Sequence, residues 1–498
     1  MSSWHRHLPS ELEPAEVELL IGGSLSSTWV ARWRERPQEA VIHDPERGWI
    51  RGQELLEQSE TIAQKLAHAG VETGDRVLLS AASSSGLVAA HAAVLRLGAV
   101  VMPTNGAYKA EEVAHVISDA RPKVAIVEHP EWAEWIHAVD PNVVVTSPSV
   151  ELEVGPRVPL DQAQSDMPAL IGYTSGTTGR PKGAVLSHGN LLSSVRGLEI
   201  AWRWTVDDTL ILALPLFHMH GLGVGLHGTL TVGAKTVLLP EFDVGEVLDS
   251  MQEFDATMFF GVPTMYGRLL ESPRSNELKK LRLCVSGSAP LAAELHHKIY
   301  QITGQRVLER YGMTETAMLV SNPYEGERRP GSVGFPLPGV EIRLEGEPAE
   351  IQVKGPNVFG GYWERPTENV DAFIDGWFRT GDLGAIDSDG YLSIVGRAKE
   401  LIISGGFNVY PREVEDVILE YEPIRECAVV GVPDDEWGEI VVAFVVAERE
   451  IGPEEIKNFV GDRLAHYKRP RKTLRLEMLP RNALGKVQKH LLPKEHTT

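Results

Sequence analysis

Cysteine is scarce: Cys284 and Cys427 are the only two in 498 residues, far apart and each inside an apolar, strand-like run. That excludes a disulfide scaffold or a cysteine-built metal framework, and it fits a reducing, cytoplasmic setting. Nowhere do eighteen apolar residues run together, so no membrane-spanning helix is expected. Met1 to Pro9 carry no apolar stretch ahead of a small-residue cleavage point, and acids follow at Glu11 and Glu13; neither a secretory nor an organelle leader is expected. Positive charge is in deficit as well, 48 Lys and Arg against 69 Asp and Glu for a net charge of −21. Such a surface repels phosphate polymers and anionic lipid, so nucleic acid and membrane are not expected partners. One basic cluster breaks the trend, Lys468-Arg469-Pro470-Arg471-Lys472. By composition alone it is a solvated turn; it gains interest only beside a phosphate-bearing ligand.

A chain of this length exceeds one hydrophobic core, so at least two domains are expected. From Asp75 to Asn105 it reads strand, helix, strand: Val77 to Leu79, Leu87 to Leu97, then Ala99 to Met102 with Pro103 as a stop. Apolar strand-like runs recur at Val124 to Val127, Val143 to Val145, Leu210 to Leu212 and Thr257 to Phe260, which predicts a large α/β body with buried strands. After about residue 396 the pattern shortens: a strand at Leu401 to Ile403, a helix opened by Pro411, strands near Ala428 to Val432 and Ile440 to Val446, and a helix from Pro453. The expected architecture is therefore α/β, a large multi-sheet domain over residues 1–396 followed by a small, mobile α+β domain over 397–498. No low-complexity linker separates them, so the junction should be a tight hinge.

Tyr173-Thr174-Ser175-Gly176-Thr177-Thr178-Gly179-Arg180-Pro181-Lys182-Gly183 follows the apolar Ala169-Leu170-Ile171. Glycines let backbone N–H groups approach anionic oxygens, hydroxyls add donors and Lys182 adds charge, as a polyphosphate-wrapping loop requires. The spacing fails the Walker A rule, which excludes an ordinary P-loop NTPase. The string resembles the signature of the adenylate-forming superfamily of acyl-CoA synthetases, luciferases and peptide-synthetase adenylation domains. Further segments resemble that superfamily in the same order: residues 310–316, 331–336, 377–383, 396–400, 410–415 and 480–486.

The resemblance implies ATP, Mg²⁺ and coenzyme A as ligands and assigns roles. Thr174, Ser175, Gly176, Thr177, Thr178, Gly179 and Lys182 would cradle phosphates. Ser288, Ala289, Pro290, Glu309, Tyr311, Gly312 and Met313 would surround the nucleotide, with Tyr311 stacking on adenine. Thr314 would donate to the α-phosphate, and Glu315, with Thr174, would hold Mg²⁺. Asp382 would receive the ribose hydroxyls and Arg397 would make a second nucleotide contact; alone, a Gly-Asp pair reads as an Asx turn. Lys486 would be the catalytic lysine of adenylation, brought by a small domain that hinges at Lys399 and later turns away for thioester formation. Gly405, Gly406, Lys468 and Arg471 would meet CoA.

Arg310, with Arg268 and Ser288, is out of place in a purely apolar acyl pocket, where an unpaired charge costs several kcal/mol. Residues 309–316 and 286–291 resemble malonyl-CoA-forming members of the superfamily. A dicarboxylate leaves one carboxylate free to react and buries the other, which guanidinium groups suit. Met219 and Met318 would bound the space near the α-carbon and decide on methylmalonate, and His218 would gate the pocket. His218-Met219-His220 alone is an incomplete metal site. Other short acids, aryl acids, or a carrier-protein thiol in place of CoA remain alternatives at this stage, and a non-catalytic nucleotide-binding protein has no need of Lys486.

Overall fold

The computed structural model describes residues 3–20, 23–174, 181–404, 407–434, 437–452, 454–482 and 485–493. Four sheets order the chain. In the seven-stranded one, Arg76–Ser80 runs parallel to Val100–Pro103 and to Val124–Val127. The intervening helix Ser85–Arg96 opens on Ser84, whose hydroxyl accepts from the Leu87 N–H at 3.2 Å, satisfying one of the free donors of the first turn. Beyond Val100–Pro103 lie Pro168–Thr174 and Lys182–Ser187, an antiparallel pair. Thr174 and Lys182, where the glycine- and threonine-rich string leaves and returns, are thus paired at one end of a hairpin rooted in a buried sheet.

The nine-stranded sheet has a parallel centre in the order Lys235–Leu238, Thr209–Leu212, Met258–Gly261, Leu283–Ser286, Leu308–Tyr311. Strands covered on both faces read as continuous apolar runs, and these do. Its edge recruits Ala40–Asp44 from near the start of the chain, parallel to Lys235–Leu238. Ser85–Arg96 touches strands of both sheets and is buried almost all round; its run of alanines lets the layers approach. Arg96, at its end, is buried but compensated by Asp161 at 3.1 and 3.2 Å, by Ser59 and by the Leu56 carbonyl.

The third sheet contains Glu341–Glu345, Glu350–Lys354, Trp377–Ile386 and Leu392–Arg397. A short turn, Ala398–Glu400, leads into the fourth, built from Ile402–Ser404, Phe407–Val409, Ile424–Asp434, Gly438–Ala447 and Lys472–Arg475. Pro411 opens the helix Pro411–Leu419 as its residue type favours, and apolar clusters cover both faces of this last sheet. The architecture is thus a large α/β domain followed by a small α+β one. The second predicted helix of the small domain begins at Glu455; Pro453 lies outside the described residues. Among the described residues no helix is long and apolar enough to cross a membrane.

Candidate active site

The site begins at the neck of the phosphate hairpin. Thr174 pairs with Lys182 across the strands, and the Thr174 hydroxyl donates to the Lys182 carbonyl at 3.4 Å. The Lys182 ammonium stands 5.5 Å from the centre of the Tyr362 ring. Ser175, Gly176, Thr177, Thr178 and Gly179 lie outside the described residues. Against the same strand packs the turn Thr314–Thr316: a Cβ at Gly172 would stand 2.4 Å from Thr314 Cγ2, so glycine is what admits that turn. Asn357 holds the turn by donating to the Thr316 and Met318 carbonyls at 2.9 and 2.7 Å. Ala317 sits at φ +50°, a conformation that costs a non-glycine residue of order 1 kcal/mol. Glu315 is buried, accepts from the Tyr362 hydroxyl at 3.0 Å, and burial raises its pKa. A buried carboxylate that no ion pair reaches among the described residues, with Arg397 only lowering its pKa from a distance, is a fit ligand for a divalent ion. Among the described residues no cluster of three His, Cys, Asp or Glu forms a closed cage.

The nucleotide side of the cleft is polar. Asp382 is buried, accepts from the Tyr311 hydroxyl at 2.5 Å and pairs with Arg397 at 2.9 Å. Lys486 arrives from the small domain on a loop closed by Asn482, whose side chain accepts from the Lys486 N–H at 2.9 Å. Gly485 at φ +74° abuts Thr264 at the start of the helix Pro263–Glu271; a Cβ there would stand 3.0 Å from the Thr264 hydroxyl. The Lys486 side chain keeps solvent contact in the cleft, yet the surrounding protein desolvates it and lowers its pKa, with Arg397 adding to the effect.

The expected acyl side is built from three neighbouring pieces. Arg310, on the strand Leu308–Tyr311, is 4% exposed. Its Nε and Nη2 have no hydrogen-bond partner among the described residues, and no ion pair there reaches it. Burial pushes its pKa down to about 9, against a weaker upward pull from Glu309. His218 is held neutral, its pKa pushed down to about 3 by burial and then by Arg310 and Lys486, so all three groups feel one space. Its Nδ1 accepts from the His220 N–H at 3.2 Å. His220 opens a π-helical turn, His220–Leu226, of a kind that recurs at functional sites. Its Nδ1 lies 3.3 Å from the Ser288 hydroxyl, and Ser288 is at φ +68°. Met219 folds back over Gly223, and Met318 covers Gly312.

Not every predicted residue belongs here. Arg268 is exposed and lies 5.0 Å over the Phe242 ring, because its helix turns Tyr266 and Leu269 inward instead. It is not a pocket residue. Lys468 is not a free cation: Glu413 grips its ammonium with both oxygens, at 2.6 and 2.7 Å. Arg471 is exposed and stacks 4.1 Å over Trp437. Glu309 serves structure with its Oε1, which accepts from the Leu291 N–H at 2.9 Å and so ties down the segment of Ala289 and Pro290. Gly405 and Gly406 lie outside the described residues. Lys399 sits in the turn Ala398–Glu400 between the third and fourth sheets. Tyr362, Asn357, Gly287 and Thr264 were not predicted; each acts through a long-range contact that carries no local signal.

Similarity along nearly the whole chain sets the class of enzyme, an AMP-forming acyl-CoA synthetase. The chain belongs to the AMP-binding enzyme family, whose profile matches residues 29–363, while the profile of the AMP-binding enzyme C-terminal domain matches 413–486. A feruloyl-CoA synthase of Amycolatopsis sp is 37% identical, covering 88% of this chain and 92% of its own. A malonate–CoA ligase of Arabidopsis thaliana is also 37% identical, covering 84% and 78%. The ATP-bound crystal structure of MatB from Rhodopseudomonas palustris superposes with a TM-score of 0.89 at 39% identity, covering 95% of this chain and 100% of that one.

Proposed function

We propose that the chain ligates malonate to coenzyme A: a malonate carboxylate oxygen attacks the α-phosphorus of ATP and pyrophosphate leaves, then the CoA thiol attacks the malonyl-adenylate and AMP leaves. The observation that carries this reading is Arg310, a buried guanidinium with two nitrogens unpartnered among the described residues, beside the gate histidine, which feels both Arg310 and Lys486. A buried cation without an anion is costly, and a substrate that brings a second carboxylate relieves that cost. The neutral His218 and the Ser288 hydroxyl add uncharged polar groups beside it.

In this reading Lys486 stabilises the charge that develops between carboxylate and α-phosphate, Thr314 donates to that phosphate, and Asp382 with Arg397 holds the ribose. Glu315, helped by Thr174, would hold Mg²⁺, whose chemistry is to neutralise phosphate oxygens. Residues 397–498 turn about Lys399 once the adenylate has formed, withdrawing Lys486 and admitting CoA. The malonate–CoA ligase of Arabidopsis thaliana supports this substrate, and the equally similar feruloyl-CoA synthase makes an aryl acid the alternative to test.

The test is CoA-thioester formation from malonate, methylmalonate, acetate and ferulate under matched conditions. Malonate should be preferred to acetate, and Arg310→Ala should erase that preference, since losing a buried charge partner costs roughly 2–5 kcal/mol. Ferulate as the best substrate, or a preference that survives Arg310→Ala, sinks the assignment.

A further inference from the structure

One helix grips both sides of the phosphate hairpin's neck. Ala110–Ala120 buries Val113, Val116, Ile117 and Ala120, so its packing is served by an apolar stripe. His115 and Asp119, one helical turn apart and therefore on one face, are not part of that stripe. His115 Nε2 donates to the Pro181 carbonyl at 2.8 Å, just before Lys182. The Asp119 Oδ2 accepts from the Tyr173 hydroxyl at 2.8 Å, just before Thr174. His115 and Tyr173 also meet edge to face, their ring centres 6.1 Å apart. The other Asp119 oxygen is paired with Arg365. Arg365 follows closely on Tyr362, whose hydroxyl donates to Glu315 and whose ring faces the Lys182 ammonium. The Asp119 side chain is 9% exposed, so this carboxylate is spent on Tyr173 and Arg365 rather than on solvent.

We propose that His115 and Asp119 are positioning residues for the phosphates of ATP: they fix the two strand ends from which the phosphate string departs, and Asp119 couples them to the segment that supports Glu315. Neither side chain touches the nucleotide. Their contribution is to hold the hairpin neck before ATP arrives, so that less ordering is left to the binding step. The tie matters only while pyrophosphate is attached or leaving, and thioester formation does not involve it. This rests on adenylate formation alone and not on which acid is activated.

The experiment separates the two half-reactions of the full-length enzyme, with the acid chosen by the panel above. Asp119→Ala should raise the KM for ATP about tenfold, the scale of one lost charge-assisted hydrogen bond, with the KM for the acid within about twofold. Thioester formation from chemically prepared acyl-adenylate and CoA should stay within about twofold of the parent. His115→Ala should act in the same direction, and His115→Gln, which restores a donor, should recover part of the loss. Tyr173→Phe combined with Asp119→Ala should add little to Asp119→Ala alone, because the hydrogen bond that Tyr173→Phe removes is already lost with Asp119. An unchanged KM for ATP in both alanine variants overturns the proposal. So does an equal fall in both half-reactions, which would make the helix a structural support only. Should Asp119→Ala not fold, His115→Ala and Tyr173→Phe carry the same two readouts.

Discussion

At Gly287 a single methyl group decides where the Arg310 guanidinium can lie. A Cβ built there would stand 2.3 Å from Arg310 Cζ and 2.5 Å from its Nε, distances no real contact tolerates. Gly287→Ala should therefore move the guanidinium without removing its charge. If Arg310 reads the second carboxylate by position, this variant should lower kcat/KM for malonate by about ten- to a hundredfold, 1.4–2.8 kcal/mol, while acetate changes little. Equal losses on both acids would mean that the glycine serves folding alone. Arg310 itself was legible in the sequence, because it lies in a motif resembling the superfamily's and a charge is out of place in an apolar acyl pocket. Gly287 was not, since its importance comes from a side chain that the fold brings across from the next strand. Arg268 shows the opposite failure: it was expected beside Arg310 in the acyl pocket, and the helical stripe of Tyr266 and Leu269 turned it outward.

Among elements, the loop carrying Lys486 has the most demanding task in the proposed reaction, because it belongs to the small domain and would act in the large one. Arg481 and Val487 bridge its base, and Arg481 is tied to Glu426 at 2.7 Å, so the loop travels with the small domain's sheet. In the proposed turn of the small domain, its contact with Thr264 would be the docked end. Lys486→Ala should slow adenylation by about a hundredfold or more, as expected when one preorganised charge is removed from a transition state. The same variant should still make thioester from prepared acyl-adenylate within a few fold. Comparable loss in both steps would contradict a role confined to the docked position. The individual strands and helices were readable from periodicity, as at Ser85–Arg96 and Pro411–Leu419. The pairing of Ala40–Asp44 with Lys235–Leu238, and the π-turn His220–Leu226, were not. Strand partners nearly two hundred residues apart leave no local trace, and a wider helical turn needs no distinct composition.

Across the whole molecule, charge is handled differently by the two domains. Every histidine whose pKa is lowered lies between His7 and His296, and five of them sit in or near the packed centre of the large domain. His91 and His227 share one hydrogen bond, with their Nε2 atoms 2.9 Å apart, and burial holds His91 down at about 3 and His188 at about 4. A histidine whose folded pKa is depressed gives stability that is fully present above its unfolded value near 6.5 and is lost as pH falls toward the folded value. Glu309 works in the other direction: burial raises it to about 7, so its contribution is full below about 4.5 and fades as pH rises through 7. Glu309, shifted from 4.5 to about 7, and Glu315, raised in the same direction, are outnumbered by His91, shifted from 6.5 to about 3, and the other six depressed histidines. The thermal midpoint of the large domain should consequently fall as pH is lowered from 6.5 to 4.5, followed by the fluorescence of the buried tryptophans Trp29 and Trp202. Trp29 is the sensitive reporter, since its ring centre lies 5.3 Å from that of His227 and 6.0 Å from that of His91. Protonating the accepting imidazole breaks their shared bond, and protonating either one puts a charge against that ring where no anion among the described residues faces it, so a midpoint that stays level or rises across this window would show that the histidines are not buried as neutral groups.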